Sequence, residues 1–176
     1  MLRRIWKVFW WLFLLAILTI YIYLSLASFT SQELMAAVIK LEETPKEIVY
    51  RSQQKLSDKL GHSWQVVLFK RINSNNNEIS AINLRLVGFP GSQEIPHPLP
   101  LKITTDTGKV LTAPDIFIDE APAPTIGQYD FKDVLSQLPT QDLLIGIPVG
   151  KQNFINLAIP KQIVQEWQEV HKNLEF

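Results

Sequence analysis

Cysteine is absent from this chain, which excludes disulfides, thiolate metal sites, iron–sulfur clusters, a cysteine nucleophile and a lipid-bearing cysteine. Net charge is absent as well: 17 Lys and Arg balance 17 Asp and Glu over 176 residues. Binding to nucleic acid draws on a basic excess that displaces phosphate counterions, so no nucleic-acid partner is expected. Glycine is sparse. All 7 Gly and all 11 Pro lie beyond residue 44, a composition shift that separates an appendage from a single domain.

The appendage is marked by a gap in charge. Between Lys7 and Glu33 stands Val8–Gln32, 25 uncharged residues dominated by Leu, Ile, Phe and Trp. A helix needs about 20 apolar residues to cross ~30 Å of hydrocarbon, so the run is long enough to span with some tilt. Arg3, Arg4 and Lys7 precede it, and the positive-inside rule then keeps the N-terminus cytoplasmic and exports the rest. Trp6, Trp10 and Trp11 stand where an aromatic belt anchors the inner interface, and Phe13, Tyr21 and Tyr23 add further bulk to the anchor. The alternative is a cleaved signal peptide. Ser25-Leu26-Ala27 offers the small residues a signal peptidase reads, but the apolar core exceeds the usual ~7–15 residues. Either way, residues 1–30 deliver the remainder of the chain to the far side of a membrane.

Residues 31–45 read as an amphipathic helix or linker. Thr30 and Glu33 have capping-box spacing, Leu34, Val38 and Leu41 recur at helical spacing, and Pro45 stops the pattern. From residue 46 the period falls to two. Ile82, Leu84 and Leu86 alternate with Asn83 and Arg85; Leu99, Leu101 and Ile103, and Ile155, Leu157 and Ile159, alternate likewise. Trp64–Phe69 is apolar on both faces, as in a central strand. Turn signals at Asp58–Gly61, Asn73–Asn77, Asp106–Gly108 and Val149–Lys151 separate the runs. Seven or eight such strands predict a mainly β domain over residues 46–176, an antiparallel sandwich or barrel. Two helices complete it: a short one over 131–138 and a C-terminal one over 161–172, with Ile163, Val164, Trp167 and Val170 on one face. Trp64, Phe69 and Trp167 are the expected core aromatics.

No string of residues specifies a reaction. Gly61-His62-Ser63-Trp64-Gln65 lacks the second glycine of a nucleophile elbow, and a strand follows where a helix is required. Gly146–Lys151 is one residue short of a phosphate loop and leads into Gln152 instead of Ser or Thr. His62, His97 and His171 share no ligand spacing, and His97, between two prolines, reads as an exposed loop residue. Asp115, Asp119, Glu120, Asp130 and Asp133 lack the spacing of a calcium loop and read as a solvated acidic rim. No metal or cofactor is therefore expected. Phe89 and Pro90 follow a strand at a tight turn, and Pro96, Pro98, Pro100, Pro114, Pro122 and Pro124 stiffen two long loops. Stiff loops lose less entropy on docking, so Phe89, Pro90, His97, Asp115, Asp119, Pro122 and Pro124 are candidate contact residues.

Six strings in order carry a resemblance: Trp64–Arg71, Leu84–Gly91, Leu111–Asp115, Glu120–Pro124, Gly127–Asp130 and Val164–Gln168. Together they resemble a family of exported cyanobacterial proteins known as a domain of unknown function, over about residues 42–169. The resemblance implies a lineage and a compartment, the thylakoid lumen or periplasm of a photosynthetic bacterium, and transfers no catalytic residue. The expectation is a membrane-anchored accessory or assembly subunit acting by protein contact, with a photosynthetic or other thylakoid membrane complex as partner. A module binding lipid, pigment or sugar in a cleft lined by Trp64, Phe69 or Phe154 is the first alternative. A hydrolase using Ser63 or the acidic cluster is the second.

The charge asymmetry makes a direct prediction. Protease added outside sealed, correctly oriented vesicles will digest the β domain; a fully protected domain would reverse the topology.

Overall fold

The computed structural model describes residues 10–11, 14–20, 39–44, 47–119 and 121–172. The chain divides into two compact units, Met1–Met35 and Ala36–Phe176. In the first, residues 10–11 and 14–20 are helical and Trp10, Trp11, Leu14 and Leu15 are exposed. Among the described residues no helix is long and apolar enough to cross a membrane. Most of the expected span, with Trp6, Phe13, Tyr21 and Tyr23, lies outside them.

In the second unit the elements run β1 (Ile39–Thr44), β2 (Glu47–Ser57), β3 (Ser63–Asn73), β4 (Glu78–Gly88), β5 (Leu101–Thr105), β6 (Val110–Ala113), β7 (Ile126–Asp130), α1 (Lys132–Leu135), β8 (Leu143–Pro148), β9 (Phe154–Ile159) and α2 (Lys161–Lys172). The strands form two antiparallel sheets, ordered β1-β2-β3-β4-β7 and β6-β5-β8-β9. The domain is mainly β, with two sheets and a C-terminal helix, and no barrel closes. Trp64–Phe69 falls in the middle strand of the larger sheet.

The helix expected over 31–43 is corrected where it is described: Ile39–Thr44 is a strand, pairing antiparallel from Ile39 opposite Arg51 to Thr44 opposite Glu47. Ile39 and Leu41 satisfy a period of two as well as a helical one. An isolated helix of that length is marginal in water, and a ladder to β2 satisfies the backbone better.

The core lies between the sheets. Trp64, Val66 and Leu68 of β3 and Ile82, Leu84 and Leu86 of β4 meet Leu101, Ile103, Ile145, Leu157 and Ile159 from the second sheet. The helix α2 turns Ile163, Val164, Trp167 and Val170 inward, and the Phe131 ring meets Trp167 edge-on at 5.7 Å. Ahead of α1, Asp130 accepts a hydrogen bond from the Lys132 amide at 3.0 Å, while the N-cap position itself is Phe131.

A charged side chain breaks the apolar alternation of β3. Lys70 follows Trp64, Val66 and Leu68 on the inner face and is fully buried. Its ammonium donates to the carbonyls of Val170 (3.3 Å) and His171 (2.6 Å) in the last turn of α2, where carbonyls have no helical partner. Burial pushes the Lys70 amine down to about 8. The same burial, with the Lys70 charge beside it, holds His171 below its ordinary value.

The β2–β3 turn is closed by Asp58. Its carboxylate accepts the amides of Leu60 (2.8 Å) and His62 (2.9 Å), the Trp64 indole N–H (3.0 Å), and lies 3.1 Å from His62 Nδ1. This is the hairpin reading of Gly61–Gln65, with Gly61 at φ +87°. Burial raises the Asp58 carboxyl, but the bonds from Trp64, His62 and Leu60 outweigh it and hold it below the ordinary 3.8.

This packing can be tested at both tryptophans and at the turn. Trp64→Ala and Trp167→Ala will each cost about 3–5 kcal/mol, read as a lower urea midpoint, because both rings are fully buried. Unchanged midpoints in both would move the rings to the surface. Because Asp58 titrates lower folded than unfolded, its contribution is complete above its ordinary range. It disappears as pH falls from about 4 through the depressed value. Asp58→Asn will cost about 1–3 kcal/mol at neutral pH and flatten that acid limb; an unchanged limb would refute the assignment.

Candidate functional site

Strands β2, β3 and β4 are each eleven residues long, and successive side chains point to opposite faces. With Trp64, Val66 and Leu68 fixed in the core, the odd-numbered residues of β3 face outward. Across the ladder Phe69 lies between Arg51 and Asn83, and Val67 lies between Gln53 and Arg85. A bulge at Arg71/Ile72 interrupts the β3–β4 register, and such bulges bend a strand and increase its twist. The outer face is hollowed into a concavity of about 240 Å³, floored by Val49, Val67 and Val87 with Phe69 and rimmed by Arg51, Arg71 and Arg85.

Phe69, an expected core aromatic, is indeed only 6% exposed. Its cover, however, is on the outer face: the guanidinium carbons of Arg71 and Arg85 lie 5.1 and 5.5 Å from the ring centroid. Flat cations stacked on one ring are held by its quadrupole at little entropic cost. Arg85 is further oriented by Gln128 on β7, whose amide oxygen accepts from Nε at 2.8 Å and Nη2 at 2.5 Å. A neutral acceptor fixes the guanidinium without cancelling its charge. The Nε of Arg51 is buried and makes no hydrogen bond. The arrangement is a preoriented set of planar donors on an apolar floor, suited to carboxylate or phosphate oxygens.

Volume narrows the occupant. At about 240 Å³ the concavity falls below the ~300–1,000 Å³ of pockets for drug-sized ligands. One or two anionic side chains or a headgroup fit there.

The structure separates the contact residues expected from sequence into three groups. Phe89, Pro90 and Pro124 gather at one end of the larger sheet, where the Gly88 amide donates to Thr125 O at 2.9 Å and the Phe89 amide to Ser63 O at 3.1 Å. Pro122 and Asp119 are exposed. His97 and Asp115 turn inward instead. His97 is not an exposed loop residue, and Asp115 is not part of a solvated rim: their side chains are 9% and 2% exposed and lie 2.6 Å apart. Asp115 also accepts the Leu99 (3.3 Å) and Phe117 (3.0 Å) amides, so it ties the two proline-rich loops together. Burial and the Asp115 charge raise the Tyr129 phenol. Trp64, Phe69 and Phe154, the alternative cleft linings, do not share one site. Trp64 lies between the sheets, Phe69 on the outer face of one, and Phe154 under the Lys102 ammonium at 4.1 Å. Among the described residues, no group of three His, Asp or Glu side chains is placed to hold a metal ion.

The basic concavity is not among the sites that sequence reasoning singles out. Its signal lies in parity: Arg51, Arg71 and Arg85 all point outward once the core residues of their strands are assigned.

A two-sheet β domain with a cationic concavity on one outer face and a C-terminal helix is the class these features define. A family model covers residues 36–170, and the chain belongs to that family, DUF3122, described as a protein of unknown function. The match takes in β1, which the resemblance starting near residue 42 cut short. No curated protein and no solved structure matches the chain.

Proposed function

We propose that the protein is a membrane-anchored accessory subunit that docks an acidic segment of a larger membrane complex on the outer face of its five-stranded sheet. The observation that carries this is the concavity in which Arg51, Arg71 and Arg85 surround Phe69. Its nine lining residues supply cations, amides and apolar surface, and no nucleophile or general base. That chemistry favours a binding subunit over an enzyme. The oriented guanidiniums favour Asp and Glu side chains over a pigment or sugar chain. Its compartment, on this reading, is the periplasm or thylakoid lumen of a photosynthetic bacterium. The charge-free run after Lys7 and the six-string resemblance support that placement, and the partner is then a photosynthetic or other thylakoid complex.

Photo-crosslinking in native membranes tests the reading. A crosslinker replacing Gln53, on the exposed rim, will capture a partner peptide rich in Asp and Glu. The double variant Arg51→Glu/Arg85→Glu will cut the yield at least about tenfold, since losing ~1.4 kcal/mol of docking energy is a factor of ten. Adducts with lipid, with a segment lacking acids, or unaffected by charge reversal would overturn it.

A further inference from the structure

We infer that the end of the domain formed by the β2–β3 turn and the turn after β4 rests on the lipid surface. Two large apolar side chains are exposed there, Leu60 at 68% and Phe89 at 38%. Neither can fold back under the sheet. The Asp58 carboxylate holds the Leu60 and His62 amides, and the Phe89 amide is bonded to Ser63 O while its carbonyl accepts the Ser92 amide at 2.9 Å. Gly61 and Gly91, at φ +87° and +96°, supply the left-handed positions that make both turns tight.

The flanking charge favours lipid as the occupant. Lys59 is exposed beside Leu60, and the Lys55 ammonium lies 5.0 Å from the Phe89 ring centroid. Apolar tips carrying lysines suit the headgroup boundary, where the stems and rings enter the acyl edge and the ammonium groups meet lipid phosphates. The opposite end of β3 and β4 carries Ser74-Asn75-Asn76-Asn77, which has no apolar side chain to insert.

The inference rests on the anchor in the proposed function and not on the acidic partner. Because the chain has no cysteine, a single introduced one is a unique label. Full-length Leu60→Cys, Phe89→Cys, Asn76→Cys and Leu18→Cys chains, each carrying a nitroxide, are reconstituted into vesicles of equal parts phosphatidylcholine and phosphatidylglycerol. Accessibility to oxygen against a water-soluble nickel complex then reports depth. Positions 60 and 89 are expected to show a several-fold higher oxygen preference than position 76, and Leu60→Asp is expected to lower it at position 89. If position 18 reads as lipid while 60 and 89 match 76, the anchor stands and the inference falls, leaving the tip to a protein partner. If 18, 60 and 89 all read as water, both fall. If 60 and 89 read as lipid while 18 does not, the tip binds lipid without the anchor.

Discussion

The register of β2 against β3 is the constraint on which the rest of the domain depends. Side chains in a strand alternate with a period of two, so a slip of one residue would exchange the inner and outer faces of an eleven-residue strand. Trp64 and Leu68 would then face water, and Phe69 and Arg71 would face the core. The Asp58 carboxylate guards against this at the point where the hairpin turns. It binds two turn amides and the indole of the first core residue of β3, so the turn and the first packed ring are fixed by one group. The cost of burying a carboxylate is offset by those donors, which is why its pKa falls despite burial.

Each face then carries a large residue that its polarity would have assigned elsewhere. Lys70 is inside because the last turn of α2 presents carbonyls that need donors, and an ammonium on β3 reaches two of them. The helix dipole favours a cation at that end. Phe69 is outside, yet almost as dry as a core residue, because arginines from β3 and β4 cover it. Both exceptions are pairings between an apolar or unsatisfied surface and a long cationic side chain. One joins a helix to a sheet; the other stays open to solvent.

Much of the fold is legible in the sequence because the alternation is clean. Ile82, Leu84 and Leu86, and Ile155, Leu157 and Ile159, face the core as their spacing predicts, and Trp64 and Trp167 are both fully buried. The misreadings have physical causes. Ile39 and Leu41 fit a helical or an extended period equally, and only the pairing with β2 decides between them. His97 reads as exposed because prolines flank it, but a buried carboxylate eighteen residues away in sequence holds it inside. The candidate site is hidden for a different reason. Arg51, Arg71 and Arg85 are spread over 35 positions, and no local string unites them. They converge only when two turns set the alignment of three strands.

That convergence also changes what zero net charge means. A balanced total excludes a long-range field of one sign, which nucleic-acid binding requires, but it does not constrain how charge is distributed over a sandwich. Here the nine residues around the concavity include three arginines and no acid, while Asp119 ahead of β7, Asp130 at its end and Asp133 in α1 lie exposed. The segregation matters because a charge pair is strengthened where water is thin, over Val67, Val87 and the ring of Phe69. An incoming carboxylate would therefore meet oriented guanidiniums above an apolar floor, where each bond is worth more than on an open surface. On the proposed reading, such an open site would hold a group rather than enclose a molecule, with selectivity set by the spacing of its cations.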